Sequence, residues 1–578
     1  MPRLSHDPRS TRRRGRAGLA TVLVVLVAAA VGGCGTGDAA APSAAEPVAD
    51  DCVKPACQDV PLPPSPHVAR LTNVQWENTV RDLLRLDTAT GLSSTFPADP
   101  TAAADEFGRD ATSLVVGSIL WHEYRQAAEA AASLVVEDGA VLDKLLPEAA
   151  KTGDTASRIR AFVEDFLPRA YRRPVLPAEV DAAVAQGDKA VLSEVTSDAF
   201  ALRARWIITA TLESPNFLYR VEGGEGAVRD GRARLGAYEL AAKLSYALWG
   251  TMPDATLEGY AAADRLATND GVAAVAQEML RDPRADAQLL DFHEQLFLAD
   301  RYAGITRQQE LFPRWYTQFG SDAQEDVRRT IRELVIDNPG TVKDLYASPT
   351  AFTNARLAPV YGIDPATVPE LAAHPGSFAK VTMNAPRLGL LTHAGWLAFE
   401  GHAKDPATIQ RGAYFARHVL CLPLGSPPPA ARGVDPAKNP APTNRERVQA
   451  TTGTCGVGCH TGAGGLINPL GFGFEEFDTL GQLRAKDGDF PIDSSGTIDQ
   501  LPGAFADAAS LMSKASESAR THACYAAHWS AYLNGIAKVD ATPRWLLPIV
   551  KQSLAGASVR DIVTALVQTD AFLTVSRE

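Results

Sequence analysis

From Val68 onward, apolar residues recur at intervals of three and four with charged residues between them, the period of helices that bury one face. Thr72 and Gln75 have capping-box spacing, and Trp76, Val80, Leu83 and Leu84 fall on one face of the helix they open. The same period predicts helices over 119–147, 155–168, 177–192, 197–213, 235–249, 271–281, 284–298, 321–336, 409–420, 504–515, 521–534, 543–554 and 558–572. Many are Ala-rich with charges on the opposite face. Convincing strand-like alternation is scarce. Pro and Gly clusters near 92–100, 214–233, 337–341, 362–388 and 422–445 punctuate the pattern. The last carries Pro423, Pro427, Pro428, Pro429, Pro436, Pro440 and Pro442, which a helix interior does not accept, so it reads as an interdomain linker. No repeat of solenoid period occurs. The fold class expected is mainly α: a multi-domain helical protein with a loop-rich C-terminal region.

A chain of 578 residues is long enough for three or four domains of about 150 residues. The punctuation places them at 67–150, 151–222, 223–363, 380–500 and 501–578, some smaller than that average. Apolar residues make up 46% and charged residues 21%, which suits a globular chain and is too rich in core for one disordered throughout. The formal charge is −12, although residues 1–33 hold six arginines against one aspartate. The rest is therefore more acidic still, which argues against a nucleic-acid partner held by a basic surface.

Those first 33 residues read as an export signal. Arg12, Arg13, Arg14 and Arg16 precede an apolar stretch from Ala17 to Val31, too short to span a bilayer comfortably. It ends in Val31-Gly32-Gly33-Cys34, which resembles the lipobox of bacterial lipoproteins. That resemblance implies cleavage before Cys34, lipid on its thiol and a membrane-anchored protein of the cell envelope. Gly35 in the next position implies the outer membrane. Residues 34–66, rich in Ala, Pro, Ser and Asp, then read as a disordered tether.

Six other cysteines remain, an even number in an oxidising compartment. Cys52 and Cys57 are close enough in the tether to pair. Cys421 and Cys524 flank Cys455 and Cys459 and are candidates for a long bridge, closing about 100 residues and contributing roughly 4–5 kcal/mol through chain entropy.

Several strings resemble one family. Arg70-Leu71-Thr72 leading to Asn78-Thr79-Val80-Arg81-Asp82-Leu83-Leu84 is similar to the start of large exported proteins of unknown function from planctomycetes and myxobacteria. Arg169-Ala170-Tyr171-Arg172-Arg173-Pro174, then Ser214-Pro215-Asn216-Phe217-Leu218-Tyr219-Arg220, then Tyr238-Glu239-Leu240-Ala241 continue the resemblance. So do Arg387-Leu388-Gly389-Leu390-Leu391-Thr392-His393, Arg411-Gly412 and Asn468-Pro469-Leu470-Gly471-Phe472. The C-terminal block resembles planctomycete-type cytochrome c modules. The resemblance implies an envelope protein linked to redox chemistry and names no substrate.

It also implies a C-x-x-C-H haem c site near residue 455, where two thiols bond the haem vinyl groups and the histidine ligates iron. This chain has Cys455-Gly456-Val457-Gly458-Cys459-His460, with three residues between the cysteines rather than two. The two glycines make a bulged loop sterically possible. Leu466, Ile467, Leu470, Phe472, Phe474 and Phe477 suit either a haem face or an ordinary core. A Cys455–Cys459 disulfide and a zinc site are the competing chemistries. Met512 is the candidate sixth iron ligand, although its place in an apolar stripe also suits a core. Met383, His393, His418, His522 and His528 are its rivals.

No hydrolase or nucleotide motif stands beside this one. His122-Glu123 and His293-Glu294 lack the second histidine of a zinc protease, and no Walker loop or G-x-S-x-G elbow occurs. Two functions follow: a redox protein that passes electrons to a partner protein or oxidises a substrate, or a non-catalytic, disulfide-stabilised lipoprotein that binds a polymer or protein.

Overall fold

The structure, a computed structural model, describes residues 62–63, 66–100, 107–190, 199–424, 436–453, 459–461, 465–537 and 542–577. Helices dominate, and each sheet has only two or three strands, so the protein is mainly α. The first helix, Asn73–Leu83, is fixed by the expected capping box. Gln75 N–H donates to Thr72 Oγ1 at 3.2 Å, and Thr72 N–H donates to Gln75 Oε1 at 3.1 Å. Two orphan donors are thereby satisfied, and Trp76, Val80, Leu83 and Leu84 turn inward with no exposed surface.

Two principal hydrophobic cores result. One draws on residues 71–218, with Tyr246 and Met252 added from later in the chain. Here helices Asn73–Leu83, Ser118–Glu137, Thr155–Tyr171 and Ala199–Leu212 enclose Trp76, Tyr124, Phe162 and Phe166. The Trp76 ring lies 4.9 Å from Phe96 and 6.2 Å from Tyr124. The second, larger core runs from Phe107 and Leu235 to Val575. Helices Arg284–Leu296 and Ala519–Asn534 meet in it through Phe292 and Trp529, stacked at 3.7 Å.

Short strands fasten the ends. Val68–Arg70 pairs antiparallel with Tyr219–Val221, and the C-terminal strand Thr574–Ser576 pairs with Arg232–Arg234 of the 225–234 hairpin. All described residues lie in one compact unit. No helix among them is long and apolar enough to cross a membrane.

Several elements differ in detail from the periodicity. The stretch 119–147 breaks at Asp138, whose carboxylate caps a new helix, Gly139–Leu145, by accepting from Ala140 N–H at 2.9 Å. The helix expected at 504 begins at Ala508, because Leu501–Phe505 pairs with Gly496–Ile498 as a strand. Helices Thr408–Tyr414 and Phe319–Ile331 each end in a π turn, Phe415–Val419 and Arg332–Ile336. Helices Ala255–Ala262, Ala394–Phe399, Asn444–Thr452 and Ile467–Phe472 were too short for a period to show.

Candidate functional site

The Cys-x3-Cys-His stretch joins helix Asn444–Thr452 to helix Ile467–Phe472. Thr443 and Glu446 cap the first helix reciprocally, as its sequence spacing allows. Cys455 lies outside the described residues. Cys459 is exposed and carries a free thiol. Its carbonyl accepts N–H bonds from Leu466 at 2.9 Å and Ile467 at 3.0 Å, and His460 O accepts from Asn468 N–H at 3.3 Å. These bonds tie the second half of the loop to the start of the following helix.

His460, half-buried, is held by side chains. Thr452 Oγ1 donates to Val448 O at 2.7 Å, so its oxygen is left to accept. Asn468 Nδ2 donates to that oxygen at 2.8 Å, which turns Asn468 Oδ1 toward His460 Nδ1, 3.0 Å away. An amide oxygen only accepts, so Nδ1 carries the proton. A neutral ring in this position presents Nε2 with a free lone pair, and a histidine ordered in this way through its other nitrogen is suited to ligate a metal.

The helix that follows the loop is closely packed. Gly412 lets helix Thr408–Tyr414 approach the start of Ile467–Phe472, since a Cβ there would sit 1.9 Å from Ile467 O. Gly471 does the same against Thr408 O at 2.0 Å. Arg411, with no exposed surface, donates to the carbonyls of Phe474 and Phe477 at 3.0 Å, Leu397 at 2.7 Å, Asp478 at 3.0 Å and Glu400 at 2.9 Å. Burial pulls its guanidinium down to about 10. Buried Glu475 accepts from Thr408 and Asn444 and pairs with Arg484 at 3.1 Å, and burial raises its carboxyl above the ordinary range.

The apolar run splits between roles. Leu470, Phe474 and Phe477 belong to the main core, Phe474 lying 5.1 Å from Trp396. Leu466 packs against that core, Ile467 and Phe472 are buried, and Arg445 covers the Phe472 ring at 4.3 Å. Met512 is fully buried on helix Ala508–Ser516 beside Leu511 and Ala515, in the apolar stripe its spacing forms, and Met383 is likewise core.

The other sequence candidates have interior partners. His522 Nε2 donates to Ser516 O at 3.0 Å while Nδ1 accepts from Ser553 at 2.6 Å. His528 Nε2 donates to His418 O at 3.2 Å, and the His418 ring stacks on Tyr414 at 4.5 Å. Burial lowers His528 to about 4. His393 Nδ1 pairs with buried Asp326 at 3.0 Å, and Tyr361 donates to the same carboxylate.

The Cys421–Cys524 bridge is formed, with Cα atoms 5.3 Å apart, and joins the π-turn end of one helix to helix Ala519–Asn534. His528 Nε2 lies 3.4 Å from Cys524 Sγ and 3.9 Å from Cys421 Sγ. Cys34, Cys52 and Cys57 fall outside the described residues.

Sequence reasoning missed the Asn468–Thr452 relay. Asn468 stood in a string noted only for its resemblance, and nothing in spacing ties it to His460. It also missed the buried Asp326–His393–Tyr361 cluster, whose members are up to 67 residues apart.

Four family models match the chain, each described as a protein of unknown function. They are PSD3 (DUF1587) over 69–137, PSD5 (DUF1595) over 158–222, PSD4 (DUF1592) over 235–363 and PSCyt3 (DUF1588) over 387–487. Their names point to planctomycete cytochrome c-like domains. The PSCyt3 match contains the Cys455–His460 loop. No curated protein and no solved structure matches the chain.

Proposed function

We propose that this chain is an exported, lipid-anchored protein of the bacterial envelope, linked to redox chemistry through a c-type haem at Cys455, Cys459 and His460. The observation that carries the reading is the relay from Val448 O through Thr452 and Asn468 to His460 Nδ1, which keeps Nε2 free as a donor to iron. The residues present fit the group: a free, exposed thiol at Cys459 stands next to that oriented imidazole. Cys455 and Cys459 would hold the haem by thioether bonds and His460 would ligate its iron. When bound, haem supplies reversible one-electron transfer. Asn468 and Thr452 fix the ring plane and tautomer of His460, and Arg411 and Glu475 hold the underlying turn still. Cys34 is the anchor, placing the globular part at the membrane on a tether that ends near residue 66.

The test is the absorbance spectrum of the exported protein before and after acid–acetone extraction. Sharp visible bands on reduction that remain with the protein are expected, and a Cys455→Ser, Cys459→Ser double variant loses them. Protein left colourless by extraction refutes covalent haem. Cys34→Ser should release the protein from the membrane fraction; unchanged retention overturns the anchor.

The competing reading is a non-catalytic, disulfide-braced lipoprotein that binds a polymer or protein. The interior partners of His522 and His528 favour it, because they withdraw two candidate sixth ligands.

A further inference from the structure

Three of the family-like strings converge on a place that the haem reading does not use. Tyr171-Arg172-Arg173-Pro174 follows helix Thr155–Tyr171, Asn216 to Glu222 runs through strand Tyr219–Val221, and Tyr238 and Lys243 lie on helix Ala237–Leu248. Together they line a cavity of about 660 Å³, within the range that accepts a small organic ligand. It lies where the segments matched over 158–222 and 235–363 meet.

The buried charges in its wall do not balance. The Lys243 side chain is 1% exposed, that of Glu222 4% and that of Arg220 12%. Lys243 Nζ is 3.1 Å from Glu222 Oε2, yet neither atom is engaged in a well-directed hydrogen bond. Arg220 approaches the other oxygen of Glu222 only to 3.8 Å. Buried Arg172 donates to the carbonyls of Asn216, Phe217 and Tyr219, which carry no net charge. Two cations, Lys243 and Arg220, thus share one buried carboxylate, and Arg172 adds a third buried positive charge against neutral carbonyls. The other acids offer little compensation: Glu239 accepts from the N–H groups of Gly223 and Gly236, and Glu225 and Asp264 are solvent-exposed. A buried cation without a full partner is costly, and burial lowers the affinity of both Lys243 and Arg220 for their protons. An anion in the open space beside them removes the imbalance.

We propose that this cavity binds the oxyanion of a small organic molecule, a carboxylate or a phosphate monoester, with Lys243 and Arg220 holding the charge and Tyr171, Tyr219 and Tyr238 facing the body of the ligand. Glu222 keeps the two cations in place and weakens the binding of the anion by repulsion. The site is independent of the haem loop and stands whether or not haem is attached.

Calorimetric titration of the purified full chain tests it, with benzoate and glucuronate as carboxylates, glucose 6-phosphate as the phosphate monoester and glucose as the neutral control. At least one anion is expected to bind with Kd of about 1 mM or tighter and glucose not to bind; which anion binds identifies the oxyanion. Lys243→Met should weaken binding at least tenfold. Glu222→Gln should tighten it at least threefold, a change of sign that a general loss of structure does not produce and that decides the matter if Lys243→Met fails to fold. The proposal is overturned if none of the anions binds, if glucose binds as well as they do, or if Glu222→Gln weakens binding or leaves it unchanged.

Discussion

Cutting the Cys421–Cys524 bridge, by the double change Cys421→Ser, Cys524→Ser, gives a sharp test of how the two cores share stability. The bridge spans 103 residues of sequence, and closing a loop of that length in the unfolded chain is worth about 4.7 kcal/mol in the chain-entropy relation. Both sulfurs sit beside buried His528, so the serine hydroxyls have an acceptor or donor nearby and add little separate penalty. The expected loss is therefore about 3–5 kcal/mol, a large fraction of a typical stability of about 5–15 kcal/mol. Both cysteines lie within the part of the chain that builds the larger core, whereas the core around Trp76 and Phe162 is built mainly from residues 71–218. Hydrogen exchange followed by mass spectrometry in increasing denaturant separates the two regions. Peptides from helix Ala519–Asn534 should open at markedly lower denaturant in the variant, and peptides from helices Asn73–Leu83 and Thr155–Tyr171 should hardly move. A shift below about 1 kcal/mol in the first set would refute the entropic argument. An equal shift in both sets would show that the cores unfold as one.

Asn468→Ala removes the partner of His460 Nδ1 and leaves a small cavity; a loss of about 1–3 kcal/mol is expected in urea unfolding, with a changed haem spectrum in the loaded protein. An unchanged spectrum would mean that Asn468 does not set the His460 ring. Glu400 is raised to about 7 by burial, so the folded state holds its proton more tightly than the unfolded state. Stability from this group is present at low pH and is lost as pH rises from about 4.5 toward 7. Glu400→Gln should therefore gain on the wild type across that window, and a difference that stays flat with pH contradicts the assignment. Gly412→Ala places a Cβ against the backbone oxygen of Ile467. It should cost about 1–3 kcal/mol as the helices separate, whereas Gly376→Ala, with open space around it, should be near neutral in the same thermal unfolding assay.

Much of the local structure was legible because it is written at short range. The Thr72/Gln75 box, the Trp76-Val80-Leu83 face and the helices from 155 to 298 depend on residues three or four apart, and the hydrophobic period exposes them directly. The Cys421–Cys524 bridge was legible for another reason: after Cys34 an even set of cysteines remained, and those two flanked a pair already claimed by a local motif. The adjacency of Cys459 and His460 likewise marked the loop. The strand Leu501–Phe505 escaped notice because its partner, not its own pattern, makes it a strand.

The amino-acid sequence by itself therefore determined most of the longer helices, the Thr72/Gln75 cap, the candidate haem loop and the resemblance to cytochrome c-like families of unknown function. Tertiary structure decided which of the many histidines are already engaged. It also decided that Asn468 and Thr452 orient His460, and that Lys243 and Arg220 gather around Glu222 in the wall of a cavity that Arg172 also lines. The physical reason is that hydrogen bonding and charge compensation depend on distance in space. Once helices pack, a residue's partner is whichever side chain the neighbouring element presents, from His522 to Ser553 or from His393 to Asp326, and no periodicity along the chain encodes that choice.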